Sequence, residues 1–161
     1  MKQSNIQTFF KLPNPESNIE NNTKNDEFVL FFDGCSKGNP GLSGAGAVIY
    51  KNGIEIYNES VFVGTKETNN KAEYTGLIIG LNEAVKRNIK NLNVKGDSEF
   101  VIKQMKGEYK VKSPNIIESY QKAKKLEKQF HSIKFEHVYR EHNKRADELS
   151  NEGMTKNLSK N

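Results

Sequence analysis

Of the 161 residues in this chain, one is cysteine and none is tryptophan. A lone Cys35 excludes an internal disulfide framework and any multi-cysteine zinc site, and it suits a reducing, intracellular compartment. No apolar run approaches the ~20 residues that cross a bilayer. The start of the chain lacks the charged, apolar, small-residue order of a secretory leader. No internal repeat is visible. Charge of one sign is only mildly in excess, at +5 with a pI near 9.1, which fits a polyanionic partner and equally a plain soluble protein. The expectation is a soluble monomer with no membrane association, made of one domain and its tails.

The stretch KLPNPESNIENNTKND, residues 11–26, has only Leu12 and Ile19 as aliphatic residues, too little to bury, and reads as a flexible linker. The folded domain is expected over residues 27–155, with 156–161 a frayed tail. Phe28 to Phe32 reads as a buried strand running into a turn at Asp33-Gly34. Gly44–Tyr50 and Ile54–Val63 read as two more strands, joined through Lys51-Asn52-Gly53. From Thr68 to Asn88 the period becomes helical, with Gly76 and Gly80 available for close packing on a sheet. A strand at Leu92–Val94, helices at Ser98–Met105 and Pro114–Phe130, a strand at Ile133–Tyr139 and a helix at Ala146–Met154 complete the chain. This order predicts an α/β fold with a five-stranded mixed sheet flanked by helices, its first three strands antiparallel and its last two parallel.

Four acids occupy comparable places: Asp33 closing the first strand, Glu73 early in the long helix, Asp97 closing the fourth strand and Asp147 opening the last helix. Singly, each has an ordinary explanation as a turn, cap or first-turn residue. Together, the segments FFDGCSKGNPGLSGAGAVIY, TNNKAEYTGLIIGL, VKGDSEFVIKQMKGEYKVKSP and REHNKRADELSNEG resemble, in order and spacing, the four motifs of type 1 ribonucleases H. The resemblance spans Phe28 to Gly153. It implies the ribonuclease H-like fold and hydrolysis of the RNA strand of RNA/DNA hybrids, leaving 5′-phosphate and 3′-hydroxyl ends. It further implies two Mg²⁺ ions, replaceable by Mn²⁺, held by Asp33, Glu73, Asp97 and Asp147. Such a set makes chemical sense, because Mg²⁺ takes oxygen ligands and clustered carboxylates repel one another unless cations join them. His142 resembles the family's mobile histidine, which serves proton transfer or product release; a solvated loop histidine is the plainer alternative. His131 and His137 match nothing catalytic.

By the same resemblance Asn39, Asn69 and Asn70, with Ser36 and Gly38, would read the 2′-hydroxyl, although Gly38-Asn39-Pro40-Gly41 is also a tight turn and either Asn69 or Asn70 a helix cap. Thr68 and Ser113, helped by Lys112, resemble residues that hold a DNA phosphate, and the Tyr109 ring could pack on a deoxyribose. Glu99 departs from relatives that place a glutamine there. Only KGEYKVKS separates Met105 from Pro114, so the long basic handle helix of some bacterial relatives is expected to be missing. Lys103, Lys106, Lys110 and Lys112 offer a substitute patch, whereas Lys122, Lys124, Lys125 and Lys128 read better as a solvated face.

Gln3, Ile6, Phe9 and Phe10, within residues 1–10, resemble the peptides that dock on the sliding clamp PCNA, one helical turn making a plug of the three apolar side chains. The resemblance implies a clamp-tethered enzyme, nuclear in a eukaryote and cytoplasmic in an archaeal or viral setting. The rival readings are a related nuclease acting also on double-stranded RNA, and a hybrid-binding adaptor without catalysis.

Overall fold

The computed structural model describes residues 26–156. The proposed clamp peptide and almost all of the linker lie outside the described residues, as does the tail beyond Lys156. Asp26 itself is tied to the domain, accepting a 3.0 Å hydrogen bond from Asn52 and pairing with Lys51.

Strands β1 (Phe28–Lys37), β2 (Gly41–Lys51) and β3 (Ile54–Glu67) form an antiparallel meander. Its second turn is made by Asn52 and Gly53, both at positive φ, the backbone that a tight two-residue hairpin demands. Helix α1 (Asn69–Lys86) then crosses to β4 (Asn91–Gly96). Helices α2 (Glu99–Met105) and α3 (Pro114–Glu127) cross to β5 (Ser132–His137), and a single 3₁₀ turn (Arg140–His142) leads into α4 (Lys144–Lys156). Strand order is β3-β2-β1-β4-β5, with β1, β4 and β5 mutually parallel. The mixed sheet expected from the sequence is therefore present. Between Met105 and Pro114 lie only turns and coil, so the handle helix is missing as expected.

Alternation along β1 sorts the two faces of the sheet. Leu30 and Phe32 point into the main core with Leu77, Leu81, Val94, Ile102 and Ile116, beneath α1, α2 and α3. On the opposite face, Phe31 packs with Tyr50, Val48, Ala146 and Leu149 beneath α4. Each layer thus has an apolar side to cover, and burying it supplies the main driving force for the arrangement.

The first strand runs five residues further than Phe32, where the sequence placed its end. The Asp33-Gly34 pair is not a turn: Asp33 pairs with Gly46 and Gly34 with Ala45, and the ladder continues to Lys37 opposite Leu42. The turn falls instead at Gly38, Asn39 and Pro40, where Gly38 has φ +81° and Asn39-Pro40 is cis. The last helix begins at Lys144, not Ala146, and extends to Lys156.

Candidate active site

Parallel pairing between β1 and β4 stops at Phe32 opposite Gly96. Beyond that point β1 continues beside β2 alone, and a crevice opens at the carboxyl ends of the two parallel strands, the usual place for a ligand in such sheets. Asp33 is the next residue on β1 and Asp97 the next after β4. Glu73 comes down from the second turn of α1 and Asp147 up from the first turn of α4. All four line one open cavity of about 330 Å³, together with Gly34, Cys35, Ser36, Asn69, Asn70, Ser98, Arg140 and Asn151.

Close helix contact with bare backbone makes this convergence possible. A Cβ added to Gly34 would collide with the Ala72 carbonyl and the Glu73 amide of α1. One added to Gly76 would stand 2.6 Å from the Asp33 carbonyl oxygen. Glycine on each element lets helix and strand touch main chain to main chain, which brings Glu73 over Asp33. The packing role expected of Gly76 is thereby realised, and Gly80 likewise sits against Leu30.

Asp33, Glu73 and Asp97 each offer a carboxylate oxygen, all within 4.8 Å of one another. Asp147 lies outside that closest triad but shares the cavity, and its helix is tied to the others because the Ser150 hydroxyl donates to the Asp147 carbonyl at 2.8 Å and stands 3.4 Å from Asp33 Oδ2. Burial, then the Asp97 charge, push the Asp33 carboxyl up to about 8, with Asp147 adding to the rise and the Gly34 amide opposing it. Glu73 is raised well above the ordinary carboxylate range, first by burial and then by Asp33 and Asp97. Its Oε1 is buried without a hydrogen-bond partner. Crowded, desolvated carboxylates with an unsatisfied oxygen are costly alone and suit hard divalent cations that take oxygen ligands.

Around the acids, the expected substrate contacts are partly engaged within the protein. Asn39 Oδ1 accepts from the Asn69 amide at 2.9 Å, so the hairpin turn and the start of α1 are held together. The helix cap is Thr68, whose hydroxyl accepts from the Lys71 amide at 3.1 Å and lies 3.2 Å from Asn115 Nδ2; neither Asn69 nor Asn70 serves as cap. The Ser36 hydroxyl lies 2.8 Å from both the Gly38 and Glu67 carbonyls. Lys112 and Ser113 line a second hollow, of about 500 Å³, with Phe100, Glu108, Tyr109 and Lys110. Ser113 opens α3 without a side-chain cap bond, leaving its hydroxyl for other work. Phe100 and Tyr109 are both partly exposed, with ring centroids 6.1 Å apart, and Lys103 lies over the Tyr109 ring. Glu99 pairs with Lys103 at 3.8 Å, which offsets its extra charge. Lys122 and Lys124 pair with Glu118 and Glu127, in keeping with a solvated face.

His142 is not among the residues lining the acidic cavity. It ends the 3₁₀ turn, its amide bonded to the Tyr139 carbonyl, and faces a neighbouring groove with Phe31, Tyr50, Lys95 and Lys144. His137 packs edge-on against Tyr139, a structural place as expected. The sequence reading did not single out Arg140 or Asn151. Arg140 lines the acidic cavity, and Asn151 Nδ2 donates to the Asp147 carbonyl at 2.9 Å. Their positions in the two turns around Asp147 were the available signal.

A family model described as reverse transcriptase-like matches residues 31–153, which include all four acids. A ribonuclease H of Pseudomonas savastanoi pv. phaseolicola is 32% identical over 143 residues, an alignment covering 80% of this chain and 93% of that protein. The chain belongs to the ribonuclease H family. Ribonuclease H relatives extend to a bifunctional protein of Mycobacterium tuberculosis, 42% identical over 127 residues and 78% of this chain. This chain spans 35% of that relative's length. The solved N-terminal ribonuclease H domain of the mycobacterial protein superposes with a TM-score of 0.77 at 41% identity, covering 80% of this chain and 93% of that one. LC11-RNase H1, solved in complex with an RNA/DNA hybrid, gives a TM-score of 0.77 at 35% identity, covering 82% of this chain and 99% of that one.

Proposed function

We propose that this chain is an endonuclease that hydrolyses the RNA strand of RNA/DNA hybrids, leaving 5′-phosphate and 3′-hydroxyl ends. The observation that carries the reading is the convergence of four carboxylates from four separate elements on one open crevice, with the buried Glu73 Oε1 unpartnered. Asp33, Glu73, Asp97 and Asp147 would hold two Mg²⁺ ions, or Mn²⁺ in their place. Bound there, the cations would supply charge neutralisation at the scissile phosphate and an activated water.

The remaining residues divide the hybrid between its strands. Ser36, Asn69 and Asn70, which line the acidic cavity, would face the RNA minor groove together with Asn39, bonded to the Asn69 amide, and Gly38; there, amides and short polar side chains distinguish a 2′-hydroxyl from hydrogen. Thr68, Lys112 and Ser113, backed by Tyr109 and Phe100 across the second hollow, take the DNA strand through a phosphate and a sugar face. His142, exposed on the 3₁₀ turn and facing the neighbouring groove, would move a proton or assist product departure, a role supported by the resemblance of its motif. The protein acts as a monomer inside the cell. Gln3, Ile6, Phe9 and Phe10 tether it to a PCNA-type clamp, a reading supported by their pattern alone.

The deciding experiment offers labelled RNA/DNA, RNA/RNA and DNA/DNA duplexes and single-stranded RNA, each with Mg²⁺ and with chelator, to the wild type and to Asp33→Asn. Metal-dependent cutting of the hybrid's RNA strand alone, lost in the variant, is the expected result. Cutting of RNA/RNA as well would move the protein to the broadened nuclease, and binding without cutting to the adaptor.

A further inference from the structure

Asn143 sits between the 3₁₀ turn and α4 and is only 2% exposed. Its Nδ2 donates to two acceptors at once, the Phe32 carbonyl at 3.0 Å and Asp97 Oδ2 at 3.2 Å. Because both facing atoms are acceptors, only the nitrogen of the amide can face them. Its main chain is equally committed, the amide donating to the Arg140 carbonyl at 2.9 Å and the carbonyl accepting from the Asp147 amide at 3.0 Å. One residue therefore touches the strand beside Asp33, the Asp97 carboxylate and the turn that carries Asp147.

An asparagine before the first turn of a helix ordinarily stabilises it by turning Oδ1 onto the free amides of that turn. Here Oδ1 is buried with no partner, a cost that folding alone gives no reason to bear. The amide is turned away from its own helix and toward Asp97.

We propose that Asn143 is a positioning residue, which holds Asp97 in its cation-binding orientation and fixes the distance from there to the Asp147 helix. The inference rests on the metal-dependent nuclease reading and adds a residue to it. An alanine at 143 frees the Asp97 carboxylate to rotate away from Asp33 and Glu73. A serine keeps a single donor, enough for Asp97 or for Phe32 but not for both. An aspartate sets a second carboxylate against Asp97 and against a carbonyl oxygen.

The test is calorimetric titration of Mg²⁺ into the substrate-free protein, beside the Mg²⁺ dependence of hybrid cleavage at saturating hybrid. Partners that orient a ligating carboxylate typically contribute about 10–100-fold to metal affinity or activity. Asn143→Ala should weaken Mg²⁺ binding within that range and shift half-maximal activation to higher Mg²⁺ by a similar factor, with the KM for hybrid unchanged. Asn143→Ser should fall between alanine and wild type, and Asn143→Asp should be the worst of the three. Ser60→Ala is the structural control: it removes a buried hydrogen bond to the Leu149 carbonyl of the same helix, so it should lower the melting temperature and leave the Mg²⁺ curve in place. Wild-type Mg²⁺ affinity in Asn143→Ala, or an equal shift in Ser60→Ala, would overturn the proposal. A wild type that binds Mg²⁺ but leaves hybrids intact would sink the nuclease reading instead, while the calorimetry still decides what Asn143 does.

Discussion

Replacing Asp33 by asparagine in metal-free protein should stabilise the fold, and the gain should grow with pH. The folded state holds the Asp33 carboxyl with a pKa pushed up to about 8, by burial first and then by Asp97, whereas in the unfolded chain it returns to an ordinary value near 4. Between these limits the folded protein keeps a proton that the unfolded chain has released. Stability therefore declines as pH rises from about 4 and levels off above about 8. At pH 7 the gap from the unfolded value is roughly three pH units, worth about 4 kcal/mol at 1.36 kcal/mol per unit. Asparagine keeps the shape and an acceptor for the Gly34 amide but carries no such cost. For a domain of this size the gain corresponds to a melting point about 10 °C higher or more. Both proteins should keep a residual slope from Glu73, which is raised as well. The assay is thermal unfolding by circular dichroism in EDTA, from pH 4 to pH 9. The two curves should coincide near pH 4 and separate steadily toward pH 8. Added Mg²⁺ should then raise the wild type but not the variant, because a cation that binds only the folded site stabilises it by mass action. A variant no more stable than wild type at pH 8, or a separation that does not change with pH, would refute the reasoning.

Gly34→Ala should force α1 away from β1, because its new methyl group would meet main-chain atoms of Ala72 and Glu73 with no side chain able to yield. A loss of about 1–3 kcal/mol in urea unfolding, with near-complete loss of cleavage, is expected; wild-type stability would show that the helix can shift without cost. Replacing Phe9 and Phe10 by alanine should leave cleavage of free hybrids unchanged and abolish binding to an immobilised PCNA-type clamp. Unchanged clamp binding would remove the tether from the proposal.

The sheet and the four acids were legible because their signals are local and repeated. Apolar runs of strand length, a helical period from Leu77 to Val85 and four acids in family spacing all survive in a single sequence. What escaped depends on contacts between distant residues. Asp33-Gly34 has turn composition, yet its pairing with Gly46 and Ala45 carries the strand onward, and no local pattern records that partner. Thr68 rather than Asn69 or Asn70 caps the helix, and the Asn69 amide is bonded to Asn39 across the hairpin turn, a contact that no local pattern records. The resemblance that marks out His142 carries no information on its surroundings; the 3₁₀ turn, which no local signal announces, faces it into the neighbouring groove. Nothing local marks out Asn143, since the acceptors of its side-chain amide, Phe32 and Asp97, are 111 and 46 positions away.

That Asp147 comes from α4 bears on when, during synthesis, the acidic crevice is complete. During synthesis β1 cannot complete its side of the sheet until β4 emerges, and domains generally fold as units as they leave the ribosome. A nascent chain that already displays Asp33, Glu73 and Asp97 still lacks the fourth carboxylate, and it lacks the helix that covers Phe31 and Val48. On the nuclease reading proposed above, ribosome-bound fragments ending before Asp147 should leave hybrids intact, because the acidic crevice is completed only by the fourth acid in chain order.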